Sequence, residues 1–173
     1  PSLVGSEMCI RDSHKVGDRV IAHVIHGGMA EKVVCDAALA FPLAEGVDYD
    51  AAAAMGLAYL TAYIALTRRG QLKEGDVVQI NGASGGVGLA SVSLAKALGA
   101  KTVLAGLTTP SKSIAVFAAG ADAVIDLTVD DLKNNLRAQV MDVTNKHGID
   151  LAFDLVGGAV FDATLRAIAN EGK

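Results

Sequence analysis

The stretch that decides the fold is QINGASGGVGLASVSLAKALGA, residues 79–100. A short apolar run, VVQIN (77–81), leads into its glycines and predicts a buried strand. The run GVGLASVSLAKALG (86–99) follows with helical spacing and ends at a glycine, so it predicts a helix. A further apolar run, KTVLAG (101–106), predicts a second strand. The order is therefore strand, glycine turn, helix, strand.

In that order the glycines of the turn have separate predicted roles. Aligned on GGVG, the motif is A-x-G-x-x-G, with Ala83 in the first glycine position. We expect Gly85 to allow a tight turn and close approach of a pyrophosphate, and Gly88 to allow close packing of helix on strand. The N–H groups of Gly85, Gly86 and Val87 would then point at phosphate from the helix N-terminus. The alternative is a tight turn that binds no ligand.

Downstream of residue 106, predicted helices and strands continue to alternate. The alternation predicts an α/β fold with a Rossmann-type, doubly wound parallel sheet. The predicted segments are a helix over 110–121, a strand over 123–127, a helix over 130–148, a strand over 150–156 and a helix over 159–172.

The first third of the chain has a different pattern. The runs DRVIAHV (18–24) and MAEKVVC (29–35) predict a small antiparallel β element within residues 16–36. The apolar run over 48–70 predicts a buried helix of a soluble protein, since a membrane span is the weaker interpretation of an alanine-rich segment. Residues 1–13 contain SEMCIRDS, which resembles a translated sequencing adapter. We therefore expect an artefactual or disordered tail there.

Composition narrows the possible partners and compartment. The chain has 173 residues, 51% of them hydrophobic, and a formal net charge of −4. With no block of lysine or arginine, nucleic acid is not expected as a partner. The two cysteines, Cys9 and Cys35, fit neither a zinc spacing nor a disulfide framework. A reducing, cytoplasmic setting is the expectation.

Several motifs in order carry a family resemblance: VGDRV, TAY, LKEGDVVQINGASGGVG, AKALGA, GADAVIDL and DLVGG. Together they resemble the medium-chain dehydrogenase/reductase superfamily, and within it the zinc-independent NADPH:quinone oxidoreductase (zeta-crystallin-like) branch. The resemblance implies a remnant of a GroES-like β-barrel over 14–50, a connecting helix over 51–75 and a truncated Rossmann NADP-binding domain over 76–173. It also implies that the chain is an internal fragment.

The resemblance further suggests residues near the nicotinamide, and no metal. Thr61 matches a position on the nicotinamide side, although a helical threonine can instead bond its own backbone. Val156 and Gly157 match a segment packed near the nicotinamide, although they could form a plain turn. Leu57 occupies the position of a cysteine zinc ligand, and leucine cannot ligate zinc. We expect no metal, and no catalytic acid can be named.

The expected cofactor is NADPH. An Asp or Glu at the end of the second strand usually holds the ribose 2′-OH of NAD, yet no acid occurs between Asp76 and Asp122. The residues after that strand offer hydroxyls and a positive charge to a 2′-phosphate instead; they are Thr108, Thr109, Ser111 and Lys112. The alternative for Lys112 is a solvated lysine.

These expectations combine into one function and two alternatives. The resemblance implies NADPH-dependent, zinc-free hydride transfer to a small-molecule quinone or related α,β-unsaturated carbonyl. The alternatives are an enoyl-thioester reductase of the same superfamily and a non-catalytic dinucleotide-binding relative. No membrane partner is expected, the full-length parent is expected to be a homo-oligomer, and the fragment alone is expected to be inactive.

Overall fold

The structure is a computed structural model that describes residues 14–173. The tail expected over residues 1–13 lies outside these described residues. The chain divides into two compact units with the boundary after Gly56. That boundary falls inside a long helix, which begins in the first unit and ends in the second.

Two short strands pair in the first unit. Strand β1 is Val20–Ala22 and strand β2 is Ala40–Pro42, and they run antiparallel. The strand predicted over 29–35 is wrong, since that segment has no regular secondary structure. Its apolar side chains are exposed, with Met29 at 107% and Val34 at 98%. A strand is stable only when paired and packed, and within the described residues this segment has neither support.

The long helix begins and ends close to the predicted bounds. Helix α1 is Tyr49–Tyr63 and continues as a π-helical segment, Ile64–Arg69. The Asp48 carboxylate caps its start by accepting the N–H of Asp50 at 3.0 Å. The prediction that this helix is buried is wrong, because only 17% of its most apolar 18-residue window is buried. By length and composition this helix could cross a membrane, which is weak evidence for a span.

The second unit is a four-stranded parallel sheet in the order β5-β4-β3-β6. Helices alternate with its strands, and this confirms the predicted α/β fold. The elements are β3 (Val77–Asn81), α2 (Gly86–Ala97), β4 (Thr102–Leu107), α3 (Ser113–Ala118), β5 (Ala123–Asp126), α4 (Leu132–Val143), β6 (Leu151–Asp154) and α5 (Gly158–Leu165).

The core lies on both faces of this sheet. All five residues of β3 are buried, as a central parallel strand covered on both faces requires. One cluster packs Val92 of α2 against Ile80 and its neighbours. The other packs Leu136 of α4 and Val160 of α5 against the opposite face.

The chain after α5 does not continue the helix predicted to reach residue 172. The helix ends at Leu165, and Ile168 then forms a parallel bridge with Ile149. The Lys173 N–H donates to the Asp150 carbonyl at 2.9 Å. Backbone pairing along the outer edge of β6 therefore replaces the last turns of the predicted helix, because tertiary contacts override local propensity.

Candidate functional site

The candidate site lies at the carboxyl ends of β3 and β6. These two strands are neighbours, with Asn81 opposite Asp154. The chain passes from β3 to β4 and β5 on one side, and then returns to β6 on the other side. The sheet therefore reverses its strand order between β3 and β6. Open α/β sheets bind ligands at this point, outside the carboxyl ends.

The tight turn after β3 depends on Gly82. Its φ is +74°, in the region that favours glycine. The N–H groups of Gly82 and Ala83 both donate to the Gly106 carbonyl, at 3.0 and 3.2 Å, which fixes the turn on β4. Gly85, which was predicted to allow the tight turn, is extended with φ −80° and ψ 170° and closes the turn through its N–H, so the positive φ that needs a glycine is at Gly82.

Gly88 makes the close contact that its motif position predicts. A Cβ atom there would lie 2.3 Å from the Gly82 carbonyl oxygen and 2.7 Å from the Ala83 Cα. Both distances are far below a normal contact, and the neighbours are backbone atoms that cannot rotate away. The first turn of α2 is therefore pressed directly onto the glycine turn.

The start of α2 offers backbone donors. The Leu89 N–H makes an intrahelical bond to the Gly85 carbonyl at 2.8 Å, so the donors of Gly86 and Val87 precede it. A Cβ on Gly86 would meet nothing within 4 Å, so the space beside this residue is open. The Gly85 N–H, also predicted to point at a phosphate, donates to the Gly82 carbonyl at 3.1 Å. An anion can bind at Gly86 and Val87, where the helix dipole is positive.

The turn after β6 contacts the glycine turn. The Leu155 N–H donates to the Asn81 carbonyl at 3.3 Å. A Cβ on Gly82 would lie 3.3 Å from a methyl of Val156. The structure thus brings Val156, a predicted site residue, against the turn that precedes α2. A ligand on one turn therefore lies close to the other.

Asp154 shapes this second turn, and the sequence analysis missed it. Its carboxylate accepts the Gly157 N–H at 2.8 Å and the Val156 N–H at 3.3 Å. Gly157 has a φ of +76°, so the turn also needs a glycine there. The available signal was an aspartate two and three residues before these amides, the spacing of a side-chain-stabilised turn.

Three buried polar side chains are joined by hydrogen bonds that begin in β3, the strand that leads into the glycine turn. The Gln79 amide donates to Asn81 Oδ1 at 2.8 Å, and the Asn81 amide donates to Thr164 Oγ1 at 2.9 Å. All three side chains are buried. A Cβ on Gly106 would lie 2.5 Å from Asn81 Oδ1, so β4 leaves room for this amide. These hydrogen bonds join β3 to α5, and no sequence pattern predicted them.

The four residues expected at a 2′-phosphate lie together after β4. Thr108, Thr109, Ser111 and Lys112 are all exposed. The Lys112 N–H donates to the Thr109 carbonyl at 3.1 Å within a short 3₁₀ turn. Because the sheet is parallel, this loop lies at the same edge as the glycine turn.

The remaining expected residues lie on α1. Thr61 is exposed, and no hydrogen bond among the described residues joins its side chain to the glycine turn. Leu57 is 78% exposed. Across residues 14–173, no group of three or more His, Cys, Asp or Glu side chains could hold a metal ion.

Comparison with known proteins finds similar proteins over most of this chain. The family model described as zinc-binding dehydrogenase matches residues 86–173, half of the chain. A quinone oxidoreductase-like protein 2 homolog of Nematostella vectensis is 36% identical over 90% of this chain and 42% of its own length. The chain thus spans less than half of that relative.

Two solved structures share the fold. The quinone oxidoreductase of Thermus thermophilus, solved also in complex with NADPH, matches 91% of this chain and 49% of its own, with a TM-score of 0.74 and 31% identity. The CurK enoyl reductase matches 92% of this chain and 46% of its own, with a TM-score of 0.78 and 25% identity.

Proposed function

We propose that this chain is part of an NADPH-dependent reductase. The premise is its family: the chain belongs to the medium-chain dehydrogenase/reductase superfamily, in its quinone oxidoreductase branch. The observation that carries the proposal is the open space at Gly86, at the start of α2, together with the contact of Val156 on Gly82 in the turn that leads into this helix. The chain forms the cofactor-binding part of the enzyme in this proposal.

The described residues fit a nicotinamide dinucleotide. The open space at Gly86 and the dipole of α2 suit a pyrophosphate, which the N–H groups of Gly86 and Val87 would hold. The exposed hydroxyls and ammonium after β4, Lys112 among them, would hold the adenosine 2′-phosphate. Val156 and Gly157 would face the nicotinamide, because their turn is on the opposite side of β3 from β4.

When bound, the cofactor supplies the hydride, and the chain's residues orient it. Asp154 holds the Val156–Gly157 backbone in one conformation, so the surface facing the nicotinamide is formed in advance. Gly88 and Gly82 keep α2 and the turn in close contact, so the phosphate donors stay fixed relative to that surface. Thr61 is proposed as a further contact on the nicotinamide side.

The proposed substrate is a small quinone or a related α,β-unsaturated carbonyl, reduced without zinc in the cytoplasm by a homo-oligomer. The Thermus thermophilus and Nematostella vectensis relatives support the quinone. The second candidate is an enoyl-thioester reductase, favoured by the match to the CurK enoyl reductase.

The test is oxidation of NADPH, followed by its absorbance, by the complete gene product that contains these residues. A panel of quinones, enones and enoyl thioesters would be supplied one at a time. Turnover of quinones or enones above that of enoyl thioesters supports the first candidate, and the reverse order supports the second. Cofactor binding without turnover of any of them would contradict both.

A further inference from the structure

Asp126 lies beside the end of β4, although the two are far apart in sequence. It is the last residue of β5 and pairs in register with Leu107, the last residue of β4. The Leu127 N–H donates to the Leu107 carbonyl at 2.9 Å. Neighbouring strands are about 4.8 Å apart, so Asp126 is one strand spacing from the residue that precedes Thr108. Although the sequence has no Asp or Glu between Asp76 and Asp122, the fold therefore brings the carboxylate-bearing residue Asp126 next to the end of β4.

The Asp126 side chain faces the side of the sheet on which α2 lies. Ile125 belongs to the core cluster on the opposite face, with Leu136 of α4. Leu107 belongs to the cluster that contains Val92 of α2. Side chains alternate along a strand, so Asp126 shares the face of Leu107. Its carboxylate is thus on the same side as the helix that begins at the glycine turn.

The carboxylate is held in place and kept ionised. Asp126 Oδ1 accepts the Thr128 hydroxyl at 2.6 Å and the Thr128 N–H at 2.8 Å. These two hydrogen bonds lower the pKa of Asp126 below its usual value. The Gln139 side chain fixes its backbone, accepting the Asp126 N–H at 2.8 Å and donating to the Asp126 carbonyl at 3.0 Å. Among the described residues, no donor bonds its Oδ2.

We infer that Asp126 is a specificity-determining residue that restrains the preference for a 2′-phosphorylated cofactor over one with a free 2′-hydroxyl. The inference rests on the proposed function, which places the adenosine end of the cofactor after β4. A fixed negative charge there repels the 2′-phosphate and leaves an uncharged hydroxyl unaffected. Lys112 acts in the opposite direction, so the observed preference reflects two opposed charges.

The experiment measures the dissociation constants of NADPH and NADH for the complete gene product, wild type and Asp126→Asn, at low and high salt. The variant keeps the shape of the side chain and its acceptor for Thr128 while it removes the charge. We expect the preference for NADPH over NADH to rise about two- to fivefold, the size of a single exposed charge interaction. The rise should shrink at high salt, because exposed charges are screened.

Asp142→Asn is the matched control, since it removes the same charge from an exposed position near the far end of α4. Its preference should equal that of the wild type. Asp126→Ser provides a second uncharged variant if the asparagine variant folds poorly. A preference that stays unchanged or falls in the Asp126 variants, or that rises equally in Asp142→Asn, would overturn the inference.

The outcomes also separate this inference from the proposed function. A wild type that favours NADPH, with no change in Asp126→Asn, overturns the role of Asp126 alone. A wild type that favours NADH, with the ratio shifted toward NADPH in Asp126→Asn, supports Asp126 and contradicts the NADPH assignment. A wild type that binds neither cofactor contradicts both.

Discussion

A Cβ atom on Gly88 would lie 2.3 Å from the carbonyl oxygen of Gly82. The first turn of α2 is therefore packed closely against the turn after β3, and this packing orients the N–H groups of Gly86 and Val87. The proposed phosphate site is therefore shaped by the close approach of two glycine backbones.

Gly88→Ala should impair both folding and cofactor binding. The added methyl must displace backbone atoms, and overpacking of this kind costs about 1–3 kcal/mol of unfolding free energy. We expect a lower denaturant midpoint and NADPH binding weakened by about tenfold or more, the equivalent of about 1.4 kcal/mol.

Gly86→Ala is the matched variant, because a Cβ there meets nothing within 4 Å. It should leave the denaturant midpoint nearly unchanged and still weaken NADPH binding, since the methyl enters the space proposed for the phosphate. Wild-type affinity in both variants would contradict a phosphate site at this turn.

Asp154→Ala should loosen the turn after β6. It removes the acceptor of two backbone N–H groups, and the expected loss is about 1–3 kcal/mol of stability. Turnover in the complete gene product should fall more than affinity for NADPH, because the affected turn is the one proposed to face the nicotinamide, while the proposed phosphate donors are on α2. Asp162→Ala, at an exposed position of α5, is the control and should change neither. Equal losses in the two variants would argue against a specific role of Asp154.

Activity of the complete gene product should not depend on a metal. Leu57 stands at the position where zinc-dependent relatives are expected to carry a cysteine ligand, and its side chain cannot bind zinc. We expect NADPH oxidation to continue at an unchanged rate after chelation and extensive dialysis. A stoichiometric zinc whose removal abolishes turnover would show that this interpretation of Leu57 is wrong.

Residues 14–173 alone should associate and should not reduce a quinone. Large apolar side chains are exposed on α1 and α5, including Leu57 at 78%, Leu165 at 55% and Phe161 at 47%. Exposed apolar surface of this kind promotes association. Light scattering and an NADPH oxidation assay on the purified segment test this. Steady turnover by a monodisperse segment would contradict it.

The sequence predicted the parallel sheet well because each strand of the second unit is a short apolar run with glycines or polar residues at its ends. VVQIN and the helix that follows it illustrate this, since the spacing of the apolar residues and the glycines at their ends predict the same two elements. The pairing of β1 with β2 was missed because MAEKVVC has the length and apolar content of a strand, while Ala40–Pro42 is three residues long and ends at a proline, a residue typical of loops. Strand pairing is a long-range property that local pattern does not determine.

The candidate site was predicted only in part, because a local motif does not show which residues meet from distant parts of the sequence. The motif spacing located Gly88 and the helix start. It assigned the tight turn to Gly85, because a spacing cannot show which glycine has positive φ. Asp126 and the buried amide of Asn81 were missed because their partners, Leu107 and Thr164, are distant in sequence.

An aspartate introduced near the end of β4 would test the cofactor preference by adding a negative charge. Leu107, the last residue of β4, is unsuitable for this because it is fully buried at 0% exposure. A carboxylate there would destabilise the core before any cofactor binds. Thr108→Asp places the same charge at an exposed position of the adjoining loop. It should weaken NADPH binding and leave NADH binding nearly unchanged, as measured by titration of each cofactor.

The most direct measurement is the affinity of NADPH and of NADH for the complete gene product, wild type and Lys112→Ala, at one fixed salt concentration. A charge-assisted hydrogen bond from Lys112 contributes about 1.5–3 kcal/mol, so the wild type should bind NADPH roughly ten- to a hundredfold more tightly than NADH. Lys112→Ala should lose most of that preference while its NADH affinity stays nearly the same. A wild type that binds NADH as tightly as NADPH, or more tightly, would contradict the proposed cofactor.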